Sequence, residues 1–278
     1  MIGELFDALL APLSQGFVRR ALGAGLALGT AGALLGVFIV QRGLGFLSDG
    51  LAHATFGGLA LGLLLGASVD RAIAVALPFT VAIALGIQYV RRRTTLGGDV
   101  ATGVFFAVSF AAGILFLGLR PASAPPVNVE SLLFGSLLAV SPESLGVILV
   151  VAAFVVAVLL WIGPRLAYAT FDPELAALSA VPVAALEYVL LALTALVVVV
   201  GVKTVGVVLV SAFVVIPAAT ASLLGRTLGT IALVAVGSSL FGTAFGLFAS
   251  YHLHVATGAT IILTLGAMFF LALVLRRR

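Results

Sequence analysis

The chain has 278 residues, 63% of them hydrophobic and 9% charged, with a mean hydropathy of +1.33. Soluble domains are about 45–50% apolar and about 25% charged, so a water-soluble globular fold and a disordered chain are both excluded, leaving a polytopic membrane protein. The net charge of +4 comes largely from arginines in short loops between apolar stretches, a signal of membrane orientation and not of nucleic-acid binding; the absence of cysteine excludes disulfides and thiolate metal sites.

Residues 1–16 carry Glu4 and Asp7 and lack a basic start, so they read as an interfacial N-terminal segment and not as a cleavable signal peptide. Charge-free stretches then cover 21–41, 50–69, 72–90, 100–119, 144–164, 188–202, 204–225 and 227–275. A helical crossing needs about 20 mostly apolar residues. The first seven stretches therefore hold one crossing each, the short one at 188–202 beginning earlier, near Val183. The last is long enough for two, with the turn near His252 and His254. Gly25 and Gly29, Gly32 and Gly36, and Gly58, Gly62 and Gly66 form small-residue ridges that let helices approach closely. Residues 127–144, bracketed by Pro125, Pro126 and Pro142, have too short an apolar centre to span, and read as an interfacial or re-entrant helix.

The longest polar-containing loop covers 166–183. Within it Asp172-Pro173-Glu174 is a helix start, with a capping side chain, a proline suited to the first turn and a carboxylate near the positive end of the dipole. That helix should run to about Ala180 and stop at Pro182. It is either a connector or a docking element. Pro217, inside the crossing after Lys203, should kink its helix. The expected fold is all-α, a polytopic transmembrane helix bundle of about eight to nine crossings, forming one membrane domain over 1–278. Alternating the crossings places Arg42, Arg91, Arg92, Arg93, Arg165, Arg226 and the basic C-terminus on one face, which should be cytoplasmic. Arg19, Arg20, Arg71, Arg120 and Lys203 fall on the other, and the arginine pair near the N-terminus fits that sidedness poorly.

Ionisable residues at membrane depth are costly and mark functional sites. Asp49 and His53 are four apart in FLSDGLAHATFGG and share one helix face. Together they offer an oxygen and a nitrogen ligand suited to Zn²⁺, Mn²⁺ or Fe²⁺. The same pair could instead relay protons, or simply pin two helices. Glu187, at the cytoplasmic start of its crossing, and His252 and His254, on the outer turn, are weaker metal candidates. A P-loop needs Gly-Lys-Ser/Thr, and Lys203, the single lysine, stands in GVKTVG, so ATP hydrolysis through that motif is excluded. No placed serine or cysteine partners the three histidines for nucleophilic catalysis.

Several segments together resemble the permeases of zinc/manganese/iron-type ABC importers: FLSDGLAHATFGGLALG, SLLFGSLLAVS, TFDPELAALSAVPV, VGVVLVSAFVVIPAATASLL and SYHLHVATGATIIL, in the family's order over roughly 20–265. The resemblance implies a multi-pass permease of the prokaryotic inner membrane, itself not an enzyme. It would dimerise with a second copy, dock a cytoplasmic ATP-binding-cassette ATPase and receive its ion from an extracytoplasmic metal-binding protein. No cofactor is expected to be permanently bound; the divalent metal is cargo. Asp49 and His53 match the family's metal-handling residues, and Phe171, Asp172, Pro173, Glu174, Leu175 and Ala176 its coupling loop. Ala180 stands where that loop often has glycine, and His254 and Ala256 where the outer turn often has an acid and a proline. The competing readings are a proton-coupled secondary cation transporter using Asp49 and His53, and a non-transporting membrane scaffold.

Overall fold

Hydrocarbon offers backbone amides no partners, so a chain this apolar must satisfy them within helices. The computed structural model describes residues 11–121 and 136–276. Among these it contains ten α-helices and no strand. They are α1 (Gly16–Gln41), α2 (Leu47–Leu64), α3 (Val69–Arg93), α4 (Gly98–Gly118), α5 (Pro142–Phe171), α6 (Pro173–Leu178), α7 (Val183–Val205), α8 (Val207–Leu224), α9 (Leu228–Leu253) and α10 (Thr257–Arg276). All but α2 and the short α6 are long and apolar enough to cross a membrane. Helix α2, with 18 residues, is a ninth helix of nearly spanning length, since 18 residues rise about 27 Å. Its composition is diluted by Asp49, His53 and four glycines, and it is enclosed by protein along most of its surface.

Glycine lets α1 and α2 approach their neighbours at backbone distance. A Cβ at Gly36 would collide with the carbonyl oxygen of Val214, and one at Gly32 would press on Phe213. Pro217 has no N–H to give to the Phe213 carbonyl one turn back, so α1 packs where α8 is missing a rung. Gly58 and Gly62 sit against Ala76 and Ala72 of α3, as their ridge predicts. Gly66 departs from that ridge. It has φ +84 and nothing near its Cβ position, and it ends α2, with Ala67 N–H reaching back to Gly62 O at 3.0 Å, a left-handed cap.

Three boundaries differ from the sequence reading. Residues 127–135 of the expected re-entrant segment (127–144) lie outside the described residues. The described part of that segment holds a single 3₁₀ turn, Leu137–Ala139, with Leu137 and Val140 buried and Val140 O accepting from Arg20 Nε at 2.9 Å. Helix α5 does not end with the apolar stretch but continues through Pro164 and Arg165 to Phe171, because a helix need not stop where the membrane does. Helix α6 ends at Leu178 and not near Ala180. Ala180 takes φ 59, and Val181 N–H bonds Ala176 O at 3.0 Å while Ala180 N–H bonds Ala177 O at 3.2 Å, the paired hydrogen bonds of a Schellman turn.

Hydrogen bonds identify the two ends of the bundle. One end joins Arg42, Gln88, Arg92, Thr170 and Glu187, with Gln41 donating to Ser222 nearby. The other joins Gln15 to Tyr251 and Lys203 to Asp70.

Candidate functional site

Of the eighteen positions of α2, only Asp49, His53, Leu61 and Leu64 are not buried. The helix therefore turns one face outward from the protomer, and the two ionisable residues lie on it, with side chains 36% (Asp49) and 27% (His53) exposed. Asp49 occupies the first turn of α2, where free amides and the helix dipole favour a carboxylate. His53 Nδ1 is 3.0 Å from the Asp49 carbonyl oxygen and 3.7 Å from Asp49 Oδ2. Donation from Nδ1 to that carbonyl fixes the tautomer with its lone pair on Nε2, the arrangement that orients metal-binding histidines. The ring is further held edge-on by Phe106 at 4.8 Å and Phe110 at 5.8 Å between centroids, both on α4. Ser211 of α8 reaches Asp49 Oδ1 at 3.3 Å. Among the described residues no three His, Asp or Glu side chains cluster as a complete metal cage.

Sequence reasoning found the Asp49–His53 pair through its spacing. It missed Phe106, Phe110 and Ser211. The phenylalanines are four apart on α4, a pattern indistinguishable from lipid-facing residues, and Ser211 lies 162 positions from Asp49, where no periodicity could link them.

At the other candidate region, α6 projects from the bundle as a six-residue helix. Asp172 caps it through Leu175 N–H at 2.9 Å and Pro173 fills its first position. Ala176 is buried, whereas Phe171, Asp172, Pro173, Glu174 and Leu175 are exposed, and Leu178 adds an apolar side chain 84% exposed. Apolar surface on a short helix outside the spans fits a partner's surface. Directly behind it, Thr170 accepts from Arg42 Nε at 3.1 Å, while Arg42 Nη1 bonds Glu187 Oε1 at 3.0 Å. Gln88 Nε2 and Arg92 Nη1 bond Glu187 Oε2 at 2.6 and 3.2 Å. Burial pushes the Arg42 guanidinium down from its ordinary range, Glu187 opposing the shift and Arg91 adding to it.

Glu187 thus engages two guanidiniums and an amide at the end of the bundle marked by Arg42. His252 and His254 are exposed on the α9–α10 turn, His254 with φ 55 at the helix end, and His252 edge-on to Tyr251. Pro217 lies buried within α8, which runs unbroken past it.

Among the described residues, a bundle of nine helices of spanning or near-spanning length, with an ionisable pair on an open interior helix and a capped apolar-faced helix outside, has the build of a transport permease. The chain belongs to the ABC 3 transport family, whose sequence pattern matches residues 14–276. It is 34% identical over 268 residues to the manganese transport system membrane protein MntC of Halalkalibacterium halodurans, covering 96% of this chain and 89% of the relative. It is 31% identical over 271 residues to the manganese import system permease protein ScaB of Streptococcus parasanguinis, covering 98% and 93%. Among solved structures, PsaBC from Streptococcus pneumoniae in complex with Fab superposes with a TM-score of 0.81 at 29% identity, covering 98% of this chain and 95% of that one.

Proposed function

We propose that this protein is the permease subunit of an ATP-driven importer of a divalent transition-metal ion, with Mn²⁺ the favoured cargo over Zn²⁺ or Fe²⁺. The observation that carries the proposal is the Asp49–His53 pair: a carboxylate beside an imidazole whose Nε2 is left free to ligate, both on the open face of an otherwise enclosed helix. That open face suits a second copy of the chain, which would bring a second pair opposite the first and give four ligands from two protomers. Relatives named for manganese support the choice of metal. The exposed apolar side chains of α6 would dock a cytoplasmic ATPase, an extracytoplasmic binding protein would deliver the ion to the opposite end, and the α6 end and C-terminus would face the cytoplasm of a prokaryotic cell. The whole chain acts as one permease domain.

The test is ⁵⁴Mn²⁺ uptake into proteoliposomes holding the permease with its ATPase. Asp49→Asn and His53→Ala should each abolish ATP-dependent uptake without loss of dimer or ATPase. Wild-type uptake by Asp49→Asn would refute the assignment, and uptake driven by a pH gradient without ATP would replace the importer with a secondary transporter.

A further inference from the structure

Ser211 sits on α8 with its side chain buried, and its single hydroxyl proton has two acceptors within reach. Asp49 Oδ1 is at 3.3 Å and the carbonyl of Val207, one turn back, at 3.0 Å. One proton cannot serve both at full strength, only share itself between them in a weaker three-centre bond. When it points to Asp49, the carboxylate gains a donor in the absence of any cation. When it points to Val207, an oxygen lone pair faces the carboxylate, an arrangement that is repulsive unless a positive charge lies between the two oxygens.

Adjacent oxygens around a small divalent ion with bonds of about 2.1 Å stand about 3 Å apart, the edge of an octahedron. The observed Ser211–Asp49 separation is close to that edge, so turning one hydroxyl converts the empty pair into two ligands without moving either helix. We infer that Ser211 is a third donor of the Asp49–His53 site, passing its hydrogen bond from Asp49 to Val207 when a hard divalent cation of the Mn²⁺ class arrives. This rests on the metal-transport reading above and refines it. A neutral hydroxyl oxygen is a hard donor, and harder oxygen-rich sites suit Mn²⁺ whereas softer donors suit Zn²⁺, so Ser211 biases the site toward Mn²⁺. It also makes the ion bridge α2 to α8, the helix whose N-cap is Gly206 with φ 90.

The experiment measures equilibrium binding of Mn²⁺ (by EPR of the free ion) and of Zn²⁺ (by competition) to the purified permease–ATPase complex, for wild type, Ser211→Ala, Ser211→Cys and Asp49→Asn. Ser211→Ala should weaken Mn²⁺ binding about tenfold and Zn²⁺ binding by a clearly smaller factor. Ser211→Cys should reverse the preference toward Zn²⁺ and give a thiolate charge-transfer band with Cd²⁺, readable because the chain has no other cysteine. If both serine variants bind both metals as wild type does while Asp49→Asn binds neither, Ser211 is not a donor and the metal pair stands without it. If Ser211→Ala weakens both metals equally and Ser211→Cys shows no Cd²⁺ band, the residue only packs α8 and the inference fails. Wild-type binding by Asp49→Asn would overturn the underlying metal reading itself.

Discussion

Replacing Glu187 with Gln should cost more stability than replacing either arginine that meets it. Its carboxylate receives Arg42, Arg92 and Gln88 at 3.0, 3.2 and 2.6 Å, and Arg42 brings a side chain only 7% exposed, against 44% for Arg92. Arg42 Nη2 already lacks a hydrogen-bond partner, so removing the carboxylate charge leaves a buried guanidinium with little compensation. Breaking a fully buried pair costs about 3–5 kcal/mol. Glu187 is 18% exposed, which places its loss at about 2–3 kcal/mol. Arg42→Met leaves Glu187 with Arg92 and Gln88 and should cost about 1–2 kcal/mol, while Arg92→Ala removes an exposed partner worth about 0–1 kcal/mol. The double variant Arg42→Met/Glu187→Gln should fall short of the sum by about 1–2 kcal/mol, because the stranded charge is then gone. Unfolding by SDS titration in mixed micelles, followed by circular dichroism, gives all four values. Equal costs for Arg92→Ala and Glu187→Gln, or strict additivity in the double variant, would refute the reasoning.

Two further outcomes concern α6. Asp172→Ala removes the cap on Leu175 and should destabilise this helix by about 1 kcal/mol, lowering co-purification of the ATPase in a pull-down while barely moving global unfolding. Ala180→Gly should stabilise the protein by about 0.5–1 kcal/mol in the same SDS titration, since left-handed backbone costs an alanine about 1–2 kcal/mol and glycine's looser unfolded chain returns about 0.4–1 kcal/mol of that; destabilisation would argue against the turn at Ala180.

The helices were legible because charge avoids the membrane interior: the gaps between charged residues bracket each spanning segment, and the fold-back at His252 and His254 follows from length alone. Helix ends were less so. Gly66 reads as one more small residue in a ridge until its positive φ is known, and Ala180 gives no warning of a left-handed turn because alanine ordinarily avoids it. The Asp49–His53 pair was visible because both residues lie on one helix, where spacing determines proximity. Ser211, Phe106 and the partners of Glu187 come from other helices, and which faces of two apolar helices meet depends on three-dimensional packing that hydrophobic pattern does not encode when both helices are apolar all round. The resemblance implies glycine at 180, and the φ of 59 at Ala180 is the left-handed backbone that glycine adopts most readily.

The same distances bear on why a carboxylate can stay in the bundle between transport events. An Asp at the centre of a membrane helix costs about 2.5–3.5 kcal/mol. Asp49 escapes part of this: it is 36% exposed, it lies in the first turn of α2, where the dipole contributes about 0.3–1 kcal/mol, and it accepts from Ser211. On the proposed reading, a cation would displace that hydrogen bond to bind, so the empty site's own stability would subtract from metal affinity, the compromise that lets an ion leave as well as enter. Asparagine has no charge to desolvate, and its carbonyl oxygen can accept the same hydroxyl. Asp49→Asn should therefore be at least as stable as wild type in metal-free buffer, by up to about 1–2 kcal/mol. Mn²⁺ at a hundred times its dissociation constant should raise wild-type stability by about 2.7 kcal/mol and leave the variant unmoved in thermal unfolding of the purified complex. A variant that unfolds more readily than wild type without metal would mean that the carboxylate is a pin between α2 and α8, held there for stability and not for an ion.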